Sequence, residues 1–443
     1  MSNLDEMKSA FEKKLEAQRA EHAARTEKEA AELRAALLRE FSASAPRDVA
    51  ARARNVGSAW HPPAAPVSGL VNLTGSDRLQ QLDEAFAALF ELGRYYPVEK
   101  LRYPTVYCES LPEFFAPMLE MMDYSAEIRQ AELAQRIRQA EEMARQTRGG
   151  GTFGVNIPGK GAYLNGWLFA YNTRLSPRQA FEKPEILRHI LATAVHEKLG
   201  HGFLGVYSAL GAVKTRLGLT QIDLARQFHL RTADDPIASL RTQQANLLFI
   251  FSQLLEEGWA TWIESFFDAR IAPGAPHPRY APQPVLDAVQ ALPDDLPQRA
   301  EVQQAFFWAM VMLFGEQDLD GPDLLKALRI LAMIGDSLDQ YFCERLHQPL
   351  RYIIGELIMT QAECNLGAGC VPYAALIAAN ITFDPATISL NDLNSMLSGD
   401  PRLNPDARMV ALSRLKLRQP GSVPELVRHA SASLSISVPG ELK

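Results

Sequence analysis

The chain has 443 residues, enough for one large domain or several smaller ones, and a formal net charge of -7. The negative charge argues against a general nucleic-acid binder, whose phosphate contacts need a basic face. No apolar run approaches the ~20 residues that cross a bilayer, and the charged N-terminal residues do not resemble a secretory signal. Four cysteines without a CxxC pair fit a reducing compartment. These features predict a cytoplasmic globular protein that binds neither nucleic acid nor a membrane.

Residues 1–45 are predicted to form a charged helix, because they are rich in Glu, Lys, Arg and Ala and lack Gly and Pro between residues 5 and 42. The middle of this helix has no sustained apolar heptad, which favours a solvated helix, although pairing into a homo-oligomer would use the same segment. A proline-rich stretch predicts a linker over residues 46–75. Residues 76–380 are predicted to form a helical main domain, and the more polar residues 381–443 a C-terminal appendage.

The predicted fold class is mainly α with a small β-sheet. Gly149, Gly150 and Gly151 interrupt a helical region, and the residues that follow alternate as a short strand would. The predicted edge strand runs from 152 to 156 and consists of Thr152, Phe153, Gly154, Val155 and Asn156. Apolar helices are predicted over residues 184–205 and 247–267.

The most informative stretch of the chain is His196-Glu197-Lys198-Leu199-Gly200-His201. Two imidazoles beside a carboxylate are the groups that a zinc hydrolase needs, with the histidines on the metal and Glu197 taking a proton from water. Histidines five residues apart are rotated by about 140° on a straight α-helix and could not share one ion. A wide π-turn would bring both rings to one face, and Gly200 would tolerate that distortion.

A third metal ligand is expected from a downstream helix, where Leu255-Glu256-Glu257-Gly258-Trp259-Ala260 supplies two candidate carboxylates. This helix is strongly apolar, so a carboxylate buried in it needs a partner such as a metal. Glu264 lies on the same helical face as Glu257 and would orient a ligand. A solvent-facing edge of the helix is the alternative for these acidic residues.

Four blocks of sequence, in order, resemble the bacterial metallopeptidases of domain of unknown function 885, which belong to the gluzincin class. The blocks span about residues 149–360. They are Gly151-Thr152-Phe153 with Val155-Asn156, the His196 to His201 motif, Glu257-Gly258-Trp259-Ala260 with Glu264, and Gln348, Leu350, Tyr352, Gly355 and Leu357. The histidine motif is one residue shorter than is usual in that family, and its HExxGH spacing resembles that of dipeptidyl peptidase III.

The resemblance implies a gluzincin fold in which His196, His201 and Glu257 bind Zn²⁺. Glu257 is preferred to Glu256 because it directly precedes Gly-Trp-Ala. The resemblance further implies that Glu197 is the general base and that Tyr352 donates a hydrogen bond to the developing oxyanion.

The predicted function is zinc-dependent hydrolysis of peptide bonds in short peptides. An extended peptide substrate would pair with the edge strand through main-chain hydrogen bonds. Arg351 would bind a free substrate carboxylate if the enzyme were a carboxypeptidase, and Arg345 and Lys160 are the other candidate cations.

Two other functions are compatible with the sequence. One is a pseudopeptidase, weak or inactive, that binds zinc and recruits a partner. The other is a di-iron carboxylate site, suggested by the Glu344-Arg345-Leu346-His347 string, although such bundles use two strings of this kind and the chain has one.

Overall fold

The computed structural model describes residues 28, 31–32, 34–61, 77–90, 104–121, 124–147, 149–157, 159–207, 251–271, 280–315, 321–372 and 374–376. These residues are mainly helical and include one small sheet, so the predicted fold class is confirmed at this level. The predicted C-terminal appendage and most of the predicted N-terminal helix lie outside the described residues.

The α-helices of the described residues are, in chain order, α1 (Val49–Ala59), α2 (Arg78–Leu89), α3 (Leu111–Leu119), α4 (Ala126–Gln146), α5 (Gly166–Thr173), α6 (Pro177–Glu182), α7 (Pro184–Ala194), α8 (Phe203–Tyr207), α9 (Glu257–Ile271), α10 (Pro282–Gln290), α11 (Arg299–Phe314), α12 (Gly321–Ser337), α13 (Asp339–Leu346) and α14 (Leu350–Leu366). Two π-helices interrupt this series, π1 (Val195–Gly202) between α7 and α8 and π2 (Phe251–Glu256) directly before α9. A short 3₁₀ turn, Ala368–Cys370, follows α14.

Several helices begin where the sequence supplies a capping residue. Ser110 and Ser176 form capping boxes at α3 and α6, and Ser125 caps α4. In each case the hydroxyl oxygen accepts a hydrogen bond from a first-turn N–H group that has no partner within the helix. α6 and α7 each begin with a proline. Proline has no N–H group, and at the first position of a helix an N–H group would have no partner within the helix.

The sheet has three strands, β1 (Thr105–Cys108), β2 (Gly154–Ile157) and β3 (Gly161–Asn165), in the order β1-β3-β2. β2 pairs antiparallel with β3, and β1 pairs parallel with β3. Among the described residues β2 is therefore an edge strand, as predicted. Its observed start is Gly154, so Thr152 and Phe153 precede the strand rather than belong to it. β1 falls in a region for which only helices were predicted.

Two apolar cores flank the centre of the fold. The first packs aromatic side chains of α2, α8 and α9 against π1, with Phe86, Phe203 and Trp259 fully buried. The second packs α1, α10, α11 and α12 together. α14 contributes to both cores, through Met359 to the first and Ile354 to the second. α14 therefore lies between the two cores.

Two expectations for the N-terminal region differ from the structure. Residues 34–44 are helical, but Leu38 and Phe41 are buried in the second core rather than solvated. The predicted linker over residues 46–75 contains α1, whose Val49 and Ala53 are also buried there. The reason is that the stretch between Pro46 and Pro62 has room for an eleven-residue helix with an i, i+4 apolar pair.

Two glycines allow the backbones of α9 and α14 to come into contact. A Cβ atom added to Gly258 of α9 would lie 2.3 Å from the carbonyl carbon and oxygen of Gly355 in α14. A Cβ added to Gly355 would lie 2.1 Å from the carbonyl oxygen of Leu254. The two helices can cross at this distance only because neither residue has a side chain. The crossing brings Glu257, next to Gly258, close to Tyr352, one turn before Gly355.

Candidate metal centre

The histidine motif lies on π1, as the spacing of its histidines predicts. Residues Val195–Gly202 form the π-helix, and the ring centroids of His196 and His201 lie 5.0 Å apart. The wider turn gives less rotation per residue than an α-helix, so side chains five residues apart share one face. Gly200 contacts α9 at this turn, because a Cβ there would lie 2.6 Å from the Cβ of Ala260.

Glu257 of α9 completes a group of three potential metal ligands. Its Oε2 atom lies 3.5 Å from Nε2 of His196 and 3.5 Å from Nε2 of His201. One ligand atom from each of the three residues lies within 4.8 Å of the other two. Ligand atoms around a tetrahedral zinc ion are roughly 3.3 Å apart, given metal–ligand distances near 2.0 Å. This buried group could hold a metal ion, and its two nitrogens and one oxygen suit zinc.

Each histidine also contacts a second carboxylate. Nδ1 of His196 lies 3.0 Å from Oε2 of Glu264, and Nδ1 of His201 lies 3.1 Å from Oε1 of Glu256. An Nδ1–H group that donates to a carboxylate leaves the lone pair of Nε2 directed at a metal. Glu264, which was predicted to orient a ligand, thus contacts His196. Glu256 contacts His201 in the same way, which the sequence analysis did not predict.

The charges of these groups depend on one another. Burial raises the pKa of Glu257, but the imidazoles of His201 and His196 outweigh burial and hold it well below its usual range. Burial lowers the pKa of His201, but Glu257 and Glu256 outweigh burial and raise it to about 9. In the absence of a metal, protons on the imidazoles balance the buried carboxylates. A divalent cation at the same place would provide that balance instead.

Glu197 lies between the histidines on π1 and faces the start of β2. A Cβ added to Gly154 would lie 2.6 Å from Cγ of Glu197 and 3.1 Å from its Oε1. The side-chain amide of Asn156 donates to the main-chain oxygen of Glu197 at 3.1 Å. Burial raises the pKa of Glu197, against the opposing effect of His201 and His196. A buried carboxylate with a raised pKa is suited to accept and return a proton near neutral pH.

Tyr352 of α14 lies beside the same group. Its ring centroid is 5.7 Å from that of His196. The carboxylate of Glu257, followed by burial, raises the pKa of Tyr352 well above its usual range. The hydroxyl therefore keeps its proton at physiological pH and is available as a hydrogen-bond donor.

The predicted substrate-binding residues occupy different environments. Phe153 packs against Phe169, with ring centroids 5.0 Å apart, and the main-chain oxygen of Thr152 accepts a hydrogen bond from the side chain of Asn165. Both residues thus help to fix the start of β2. The guanidinium of Arg351 pairs with Asp339 at 3.2 Å and lies 5.3 Å from the ring centroid of Tyr352.

Val155, in the middle of β2, is partly buried and pairs with Tyr163 of β3. Lys160, another candidate cation, pairs with Glu120 at 2.8 Å.

The remaining sequence candidates are not part of the centre. Glu344 is exposed, and His347 ends α13 in the left-handed conformation, with φ of 61°. Among the described residues, His196, His201 and Glu257 form the one group of three side chains placed to share a metal ion. The part of the chain that the structure describes thus holds no second carboxylate–histidine cluster of the kind that a di-iron site requires.

Trp259 joins the two helices that carry the ligands. Its indole N–H donates to the main-chain oxygens of Leu199 and Gly200, at 3.2 and 3.1 Å. Carbonyl groups in a π-turn are displaced from ordinary α-helical pairing, so a side-chain donor from α9 stabilises the turn. Arg188 of α7 adds a bidentate ion pair to the buried Asp268 of α9, at 2.7 and 2.5 Å.

Comparisons with protein-family models, with curated proteins and with solved structures gave no match to this chain. The site must therefore be interpreted from its own geometry. Within the described residues, no helix is both long enough and apolar enough to span a bilayer.

Proposed function

We propose that this chain is a zinc-dependent metallopeptidase that hydrolyses peptide bonds in short peptides. The protein would belong to the gluzincin class, in which two histidines of one helix and a glutamate of another hold the metal. One observation supports it above the others. A π-turn brings two histidines together opposite a buried glutamate, and each histidine contacts a further carboxylate.

His196, His201 and Glu257 would hold the zinc ion, leaving a further coordination position for water or substrate, as catalytic zinc sites do. Bound zinc would supply Lewis acidity, which polarises a carbonyl group and makes water a better nucleophile at neutral pH. Glu264 and Glu256 would hold the two imidazoles in the required tautomer and orientation.

Glu197 would act as general base and then as general acid. Its carboxylate accepts a proton from the attacking water and delivers that proton to the leaving amine nitrogen. Both transfers require a group whose pKa lies nearer to neutrality than that of an exposed glutamate, and burial of Glu197 raises its pKa in this direction. Tyr352 would donate its hydroxyl proton in a hydrogen bond to the oxyanion that forms when water attacks.

The peptide would bind in an extended conformation along β2. This strand is at the edge of the sheet among the described residues, so its outer main-chain groups are suited to strand addition. Gly154 contacts Glu197, so a peptide paired with this part of β2 would have a main-chain carbonyl close to the general base.

Replacing Glu197 by Gln tests the proposal. The amide has the same shape but accepts no proton, so we expect zinc content to be retained and peptide turnover to fall by about 10²-fold or more. Zinc content is measured by elemental analysis and turnover by mass spectrometry of a peptide library, with and without a chelator. His196→Ala is the comparison variant, and we expect it to lose both zinc and turnover. Full activity of Glu197→Gln would refute the assignment of Glu197 as the general base.

The same data separate the proposal from the pseudopeptidase alternative. A wild-type protein that contains stoichiometric zinc and cleaves no peptide in the library would be a zinc-binding protein without peptidase activity.

A further inference from the structure

A solvent-facing cleft lies beside the start of β2 and is not used in the proposed mechanism. Its empty volume, including open solvent at its mouth, is about 560 Å³. Phe115, Met143 and Trp167 form apolar walls, and Arg136 and Gln139 of α4 supply polar groups. The cleft is large enough for one amino-acid side chain or a chain end.

The cleft is close to Glu197. Thr152 lines the cleft and is two residues before Gly154, which contacts Glu197. Two residues of extended chain span roughly 7 Å. Asn165 lines the same cleft and follows Leu164, the register partner of Gly154. A peptide extended along β2 with its scissile bond near Glu197 would therefore direct a side chain or a terminus about two residues away into this cleft.

The charge of Arg136 determines what the cleft would bind. Arg136 lines the cleft, and its buried Nε has no hydrogen-bond partner among the described residues. A guanidinium is always charged and presents donors in a planar fork that matches a carboxylate. A carboxylate that entered the cleft would meet this guanidinium and could pair with it. The apolar walls fit the methylene groups that carry such a carboxylate.

We infer that this cleft is a substrate subsite in which Arg136 binds a carboxylate of the peptide, within about two residues of the scissile bond. The inference rests on the proposed peptidase function. The carboxylate has two sources in a peptide, the side chain of Asp or Glu and the free C-terminus. Both have the same recognition chemistry, and the experiment distinguishes them.

The experiment compares cleavage of four series of short peptides by the zinc-loaded protein. In two series Glu or Gln is scanned through the positions around the cleaved bond, and in the other two the C-terminus is free or amidated. We expect one carboxylate source to raise kcat/KM by about tenfold or more, because hydrogen bonds to charged groups are stronger than neutral ones. Arg136→Gln should abolish that preference, so that the carboxylate and neutral members of each peptide pair are cleaved with the same kcat/KM.

Two further variants control for structural effects. Arg136→Lys keeps the charge without the planar fork and should keep part of the preference. Arg138 lies on the same helix, is exposed and does not line the cleft, so Arg138→Gln should retain the full preference. Thermal unfolding of each variant shows whether α4 remains folded. Cleavage without a carboxylate preference, or a preference that survives Arg136→Gln, would overturn the subsite and leave the peptidase proposal standing.

A direct binding measurement separates the subsite from catalysis. Calorimetric titration of the zinc-loaded Glu197→Gln protein with the same peptide pairs reports affinity without turnover. Binding that depends on the carboxylate and on Arg136, together with no cleavage by the wild type, would retain the subsite and refute the peptidase. Equal binding of both members of each pair would refute the subsite.

Discussion

The crossing of α9 and α14 at Gly258 and Gly355 gives the most direct test of how the fold positions the potential metal ligands. In Gly258→Ala, the new Cβ would lie 2.3 Å from the carbonyl carbon of Gly355, more than 1 Å inside ordinary contact distance. The obstructing atoms are backbone atoms, so a change of side-chain rotamer cannot relieve the clash and the helices must separate. Overpacking of this kind costs typically 1–3 kcal/mol, and we expect about 3 kcal/mol here.

Gly335→Ala is the matched control, because a Cβ there would lie 3.7 Å from the backbone nitrogen of Arg351 at the start of α14, an ordinary contact. We expect it to raise the free energy of unfolding by about 0.5–1 kcal/mol, since alanine is the better helix former. Denaturant titration measures both variants. Zinc affinity should fall in Gly258→Ala alone, because a displacement of α9 would move Glu257 away from His196 and His201. If Gly258→Ala is as stable as the wild type, the proposed reason for the glycine pair is wrong.

Three further predictions concern the groups around the ligands. Glu264→Gln and Glu256→Gln should each weaken zinc binding by about 10- to 100-fold, because each removes the carboxylate that orients one histidine, and competition with a chelating dye measures this. In the zinc-free protein the pKa of His201 is raised to about 9, above the 6.5 of the unfolded chain, so its contribution to stability is complete below pH 6.5 and disappears as the pH rises through 9. The melting temperature of chelator-treated protein should therefore fall over that interval. Asp268→Asn should lower the free energy of unfolding by about 3 kcal/mol, because it removes the buried partner of Arg188.

Each of these three has its own control. Glu142 is exposed and distant in sequence from the ligands, so Glu142→Gln should leave zinc affinity unchanged. The zinc-loaded protein should show little of the pH-dependent loss, because the metal replaces the proton on His201. An equal loss with and without zinc would contradict the assignment of His201 as a ligand. The exposed pair of Arg178 and Glu182 provides the comparison for Asp268, and Glu182→Gln should change stability by less than about 0.5 kcal/mol.

The sequence by itself identified the potential metal ligands and the local geometry of the helix that carries two of them. Histidines five residues apart cannot share an ion on a straight α-helix, and this constraint predicted the π-turn that the structure contains. The apolar pattern of the helix predicted over residues 247–267 indicated that a carboxylate buried in it would need a partner, and Glu257 is indeed buried. These predictions succeeded because they concern residues within two turns of one helix, where spacing alone fixes relative position.

Only the tertiary structure decided which groups from separate elements meet. The resemblance favoured Glu257 over Glu256, but only packing against π1 puts Oε2 of Glu257 3.5 Å from both Nε2 atoms and Glu256, at the end of π2, beside Nδ1 of His201. Arg136 and Thr152 line one cleft from different elements, with no sequence motif to connect them. Such distances depend on helix crossings and on close contacts between glycines, and these follow from the packing of the whole core rather than from the spacing of residues along the chain.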